Sequence, residues 1–505
     1  MFPFPNGTPA GPAARARILA LFAVALAAVA LLAPAGALAT PHLCVAGETA
    51  CLDSLPAEGR WRPAIGLDAV PNSYQGDGVA VASIDTGVTP NPNLGARLLA
   101  RADLSGEGDG LDRFGHGTHM AGLIASDGTT SQEAFEGAAP ETNLVSVKVA
   151  GWDGATDVST VIAGLRWVVS NRERYGIRVV SLSWGTDAMT GYGDDPLDLA
   201  VERAWRAGLV VVVSAGNGGP ASGTVTKPAD DPYVIAVGAA DTNGTADRAD
   251  DTVAPFSSRG PTVDGIGKPD LLAPGVSLVS DRAPGSTVDA FRPLARVRAD
   301  LFKGSGTSQA AAVVAGVAAR MLDADPRLTN DQVKGILLAT ADPRLAGPGG
   351  GAGTVDAKAA LAVVAAARRE GAPLPPAANA GLVPSTGRGA IDTSRGTQRV
   401  YTDLDGDRVA DPVTGEVDAL GRAWDAAAYA DEAWTPETWS ASPWAPLAAE
   451  ASAGQPRAAT GIAAPMVAWE ARYWGAASWP EAGWDARYWG ARYWGARYWG
   501  TGLWQ

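Results

Sequence analysis

The chain has 505 residues, 46% of them hydrophobic, enough for one large α/β domain with appendages. Its formal net charge of −14 argues against a nucleic-acid partner, which would want a basic face, and favours solubility. The two cysteines, Cys44 and Cys51, both precede the first predicted strand and carry no catalytic role.

Residues 1–39 open with Arg15 and Arg17 and no acid, continue with uninterrupted apolar sequence over 18–32, and end in Pro34, Gly36 and Ala37-Leu38-Ala39. This is the pattern of a secretory signal peptide cut after Ala39, placing the protein outside the cell or at its envelope. The competing reading is an uncleaved anchor, since 18–39 is just long enough to span a bilayer. Residues 40–59 form a short leader. In an oxidising compartment its Cys44 and Cys51 close a small disulfide loop; otherwise they are two free thiols.

From residue 60 to 369 short β-branched runs alternate with helical patterns. Strands are expected at 79–84, 144–149, 177–182, 209–213 and 234–237, nearly continuous in apolar character as buried parallel strands are. Helices are expected at 116–126, 158–175, 196–207, 308–323 and 330–340, with a further alanine-rich one at 356–369. That alternation implies a three-layer α/β fold, a mainly parallel central sheet flanked by helices. Sites in such sheets form outside the carboxyl ends of strands, where Asp85 and Asn217 stand.

Residues 370–400 have the proline, glycine and alanine content of a linker. Within the region 401–420, Asp403, Asp405, Asp407 and Asp411 surround Gly406 and offer oxygen ligands for a structural calcium, or form a solvated acidic turn. In the tail, 421–505, Trp424, Tyr429, Trp434, Trp439 and Trp444 are evenly spaced, and the series resumes in the same register from Trp469 to Trp504. A five-residue period fits neither a helix face, where each step turns the side chain about 140°, nor one strand face. Exposed aromatic and arginine ladders favour binding to envelope or polymer surfaces; a flap packed over the main domain and an unfolded spacer are the other readings.

The chemistry lies in three separated strings: Ile84-Asp85-Thr86-Gly87, Gly115-His116-Gly117-Thr118-His119 and Gly306-Thr307-Ser308-Gln309-Ala310. Peptide hydrolysis needs a serine hydroxyl whose proton passes to an imidazole, and a carboxylate that orients the ring. Ser308, His116 and Asp85 meet those needs. Ser308 also opens an alanine-rich helix, whose free N–H groups favour developing negative charge. His116 and His119 form an H-x-x-H pair, but no glutamate intervenes as a zinc site would want, so His119 reads as structural.

The strings, their order and their spacing resemble the subtilisin-like serine proteases (subtilases, peptidase S8), a resemblance that covers roughly residues 60–345. Ser181-Leu182-Ser183-Trp184-Gly185, Ser214-Ala215-Gly216-Asn217, Phe256-Ser257-Ser258-Arg259-Gly260 and Leu272-Ala273-Pro274-Gly275 follow in family order. The resemblance implies a subtilisin-like fold and an exported serine endopeptidase acting on protein or peptide substrates through an acyl-enzyme, with no cofactor in the chemistry. It gives Asn217 the second oxyanion donor and Ser183, Trp184 and Gly185 the strand that lines the substrate cleft, glycine letting an extended peptide approach. Gln309 and Ala312 depart from the methionine and proline common there, and 40–59 is too short for the usual folded propeptide. The alternatives are a catalytically silent scaffold that binds through the tail, and an enzyme that cleaves only itself.

Overall fold

The computed structural model describes residues 61–70, 73–402, 404 and 411–448. Its centre is an eight-stranded sheet. The parallel members are β1 (Ala80–Asp85), β2 (Leu98–Asp103), β3 (Asn143–Lys148), β4 (Ile177–Leu182), β5 (Val210–Ser214), β6 (Ile235–Asp241) and β7 (Leu271–Pro274). They lie in the order β7-β6-β5-β4-β1-β3-β2, and Thr252–Val253 adds an antiparallel pair to β6. The chain thus winds to one side of β1 and then to the other, which opens a crevice at the carboxyl end of β1.

Helices α1 (His116–Ala125), α2 (Val158–Tyr175), α3 (Pro196–Arg206), α4 (Thr307–Ala324), α5 (Asn330–Thr340) and α6 (Ala357–Glu370) complete the layers. A Cβ on Gly117 of α1 would meet Asp85, whereas one on Gly164 of α2 would meet Val149 and Ile84. Adjacent strand residues face opposite sides, so α1 and α2 cover opposite faces of the sheet. α4 packs against α1 and α3 against α2. Almost every residue of α4 is buried, which its small side chains permit and its lack of a polar stripe requires. Among the described residues no helix is long and apolar enough to cross a membrane.

The five expected strands coincide with β1, β3, β4, β5 and β6. The sequence reading missed β2 and β7 for related reasons. β2 carries Arg101 in Leu-Leu-Ala-Arg-Ala-Asp and is only half buried as an edge strand. β7 ends in Pro274, which the last position of an edge strand tolerates because no N–H is needed there.

Residues 370–400 are not a free linker. Beyond Gly371, which ends α6 with φ of 68°, the chain lies pinned along the main domain. Lys334 Nζ on α5 reaches Asn379 Oδ1 at 3.2 Å. Ser385 N–H donates to Glu202 Oε1 on α3 at 2.7 Å, and Ile391 is fully buried. Proline and glycine content reads as flexibility, but irregular chain can equally be held wherever its backbone polar groups find partners.

The first aromatic series also packs. Two short helices, α7 (Ala426–Asp431) and α8 (Pro436–Ser440), are capped by Asp425 and Thr435. Trp424 and Trp434 stand just before the caps, and Tyr429 and Trp439 are the fourth helical residues. That is the spacing of the hydrophobic staple, and it accounts for a five-residue period where helix and strand faces fail. The Trp424 and Tyr429 ring centroids are 4.7 Å apart, and the Arg203 guanidinium lies 5.1 Å from the rings of both Tyr429 and Trp434. Tyr429, Trp439 and Trp444 join the main apolar core, so over 424–444 the expected exposed ladder is instead a flap on α2 and α3. The later series, from Trp469, lies outside the described residues, as do residues 1–60 with Cys44 and Cys51.

Candidate active site

β1 ends on Asp85, whose carboxylate receives the His116 ring: Nδ1 lies 2.8 Å from Oδ1 and 3.0 Å from Oδ2. The Thr86 N–H also donates to Oδ1, at 2.7 Å. A carboxylate at Nδ1 holds the proton there and leaves the neutral ring's lone pair on Nε2. Both groups are nearly buried, at 2% and 5% exposure, so their attraction is little screened.

Two glycines let α1 pack closely, Gly115 against the Ser286–Val288 segment and Gly117 against the end of β1. Gly115 caps α1 at φ 109°, and a Cβ there would stand 2.5 Å from Ser286 Oγ. A Cβ on Gly117 would lie 2.1 Å from Gly87 O. A larger residue at 117 would push α1 away from the end of β1.

The sequence reading missed the groups that brace this pair. Asp112 accepts four hydrogen bonds: Gly115 N–H at 2.6 Å and Thr86 Oγ1 at 2.8 Å on one oxygen, Thr118 N–H and Oγ1 at 2.7 Å each on the other. Its burial pushes the carboxyl up while Gly115, Lys148 and Thr118 pull it down, the net effect being upward. Lys148 Nζ, fully buried, donates to Thr86 O at 2.6 Å and Leu111 O at 2.9 Å and sits 3.1 Å from Glu107. A charged residue inside the apolar run Leu-Val-Ser-Val-Lys-Val was the available signal.

Ser308 is the second residue of α4, after Gly306 and Thr307, so it lies where helical N–H groups are unsatisfied. It is fully buried, its Oγ 3.4 Å from Ser183 O, and its helix packs against the one that carries His116. Asn217 follows β5 and turns its Oδ1 to Thr307, accepting from N–H and Oγ1 at 3.0 Å each. This leaves Asn217 Nδ2 buried with no partner among the described residues. A buried donor without an acceptor is costly and points to a group that arrives later.

Ser183, Trp184 and Gly185 continue from β4 beside Ser308. Ser183 Oγ donates back to Ser308 O at 3.3 Å. Trp184 is only 7% exposed and belongs to the core. A Cβ on Gly185 would lie 2.5 Å from Lys227 O. Its lack of a side chain therefore leaves room for the strand Thr226–Lys227 behind it.

His119 is buried, its Nε2 3.2 Å from Phe302 O. Burial, with the nearby His116 adding to it, lowers its pKa to about 3, so the ring is neutral. Gln309, buried beside the nucleophile, keeps its Oε1 without a partner among the described residues. Asp403, Asp405 and Asp407 lie outside the described residues; Asp411 lies in the strand Asp411–Pro412, paired with Tyr401–Thr402. Among the described residues no group of three or more His, Cys, Asp or Glu side chains is placed to hold a metal ion.

Comparison with known proteins bears on the same region. The model of the subtilase family (peptidase S8) matches residues 76–372, more than half of the chain. Serine protease AprX of Bacillus subtilis (strain 168) is 46% identical over 268 residues, covering 52% of this chain and 61% of AprX. Subtilisin DY of Bacillus licheniformis is 34% identical over 284 residues, 55% of this chain and 89% of the relative. The solved structure of Sphericase aligns at 28% identity and a TM-score of 0.47 over 55% of this chain and 88% of that one. The chain belongs to the subtilase family.

Proposed function

We propose that this subtilase is an exported serine endopeptidase in which Ser308 attacks the peptide carbonyl, His116 Nε2 takes its proton and returns it to the leaving amine, and Asp85 holds the ring and stabilises the imidazolium. The oxyanion would collect Asn217 Nδ2 and the first N–H groups of α4. An extended peptide would lie along 183–185. The observation that carries the reading is the pairing of the Asp85–His116 contact with an orphaned Asn217 amide beside Ser308. Relatives named as serine proteases and subtilisins support it.

The test is hydrolysis of a labelled protein by the unmodified chain, by Ser308→Ala and by Asn217→Leu. Loss of the nucleophile should cost about 10⁶ in kcat, the magnitude found for subtilisin, a relative. Loss of the amide should cost about 10²–10³ in kcat, again a subtilisin figure, with little change in KM. Equal activity in the unmodified chain and Ser308→Ala would overturn the reading.

A further inference from the structure

Residues 391–399 lie beyond the region that matches the family, 76–372, yet they touch both the cap of α2 and the strand Thr186–Asp187 that follows β4. The one-turn helix Ile391–Ser394 runs into Arg395, whose side chain is 2% exposed despite its charge. Nε donates to Asp157 Oδ2 at 2.7 Å and Nη2 to Asp157 Oδ1 at 3.3 Å. Nη1 reaches Gly415 O at 2.7 Å and Asp392 Oδ1 at 3.3 Å, and Nη2 also reaches Val417 O. A buried guanidinium is stable only when its fork is satisfied in this way.

Asp157 is the cap of α2 and accepts from Ser159 N–H at 2.9 Å. It ends the loop in which Gly154 lies against the Phe114 ring, where a Cβ would come within 2.9 Å; Phe114 is two residues from His116. On the other border, Thr186 Oγ1 donates to Ser394 O at 2.6 Å, and Thr397 Oγ1 to Asp187 Oδ2 at 2.6 Å. Thr186 and Asp187 follow Gly185 directly. Arg395 and its neighbours Ser394 and Thr397 thus join the loop that precedes α2 to the strand Thr186–Asp187.

We propose that Arg395 is a positioning residue for peptide hydrolysis: by tying Asp157 to the 394–397 turn, it sets the spacing between the Asp157 loop and the 183–187 segment, and with it the groove for an extended peptide. The inference rests on the endopeptidase reading. Arg395 touches neither substrate nor the reacting groups, so its loss should appear in binding of long substrates and spare the chemistry.

The experiment compares Arg395→Met, Arg395→Lys and the exposed Thr397→Val with the unmodified full chain. Two readouts are taken: kcat and KM on a quenched fluorescent octapeptide, and the rate of labelling by a small fluorophosphonate. Arg395→Met should raise KM about tenfold or more while kcat and the labelling rate stay within about threefold, and Arg395→Lys should recover part of the KM. Thr397→Val should raise KM about two- to threefold, and decides the matter alone if Arg395→Met does not fold. An unchanged KM, or a fall in labelling that parallels the loss of peptide hydrolysis, would overturn the inference. An unmodified chain that neither labels nor cleaves would instead overturn the endopeptidase reading beneath it.

Discussion

At the residue scale, buried carboxylates divide by what surrounds them. Asp85 and Asp112 each collect several donors in the crevice, whereas Asp281, on the strand Leu278–Asp281, has one strong partner, Asn93 Nδ2 at 2.7 Å, and a longer one, Ser126 Oγ at 3.4 Å. Burial dominates at Asp281, as it does at Asp112, and raises the Asp281 pKa to about 6, opposed by Asn93, Asn91 and Ser126 and assisted by Asp300. The folded chain keeps this proton where the unfolded chain has lost it. Its stabilising effect is complete below the ordinary carboxylate range and lost as pH rises through about 6. Asp281→Asn should remove that slope. The stability of the unmodified protein relative to the variant should fall by up to about 3 kcal/mol between pH 4 and 7. Parallel stability curves from urea unfolding would contradict this.

The same scale explains what the sequence could show of the site. Asp85, His116 and Ser308 were legible because each stands beside glycines at an element boundary, where the backbone must come close. Thr86, Asp112 and Lys148 were not, because their role comes from hydrogen bonds between segments far apart in sequence, Lys148 to Thr86 among them. Gly185 was legible as a required glycine, but the neighbour behind it was not. Only coordinates place Lys227 O behind it.

At the scale of elements, periodicity was a good guide where one element repeats and a poor one where a motif spans a boundary. The strands of the sheet interior and the long helices follow their apolar patterns. The aromatic repeat crosses from cap to helix and back, so its period belongs to the staple and not to either element. Trp439 shows the consequence: it is 8% exposed and sits in the core with Tyr429 and Trp444, beside Arg166, which bonds Glu432 and Thr438 O at 2.6 Å each. Trp439→Ala should lower stability by about 3–5 kcal/mol, read as a shift of the denaturant midpoint without a fall in slope. A shift worth less than about 1 kcal/mol would mean that the flap adds little to the core.

At the scale of the molecule, the described chain that follows the family-matched region, up to residue 448, packs onto it. Lys334, Glu202, Asp157 and Arg203 each take a partner from residues 379–434, so the segment with linker composition is held against the family-matched domain. What that body does depends on whether Asp85, His116 and Ser308 act together. The most direct measurement is peptide mapping of the intact protein after reaction with a fluorophosphonate. A single adduct on Ser308, abolished by His116→Ala, is the predicted result; an adduct elsewhere, or none on folded protein, would contradict it.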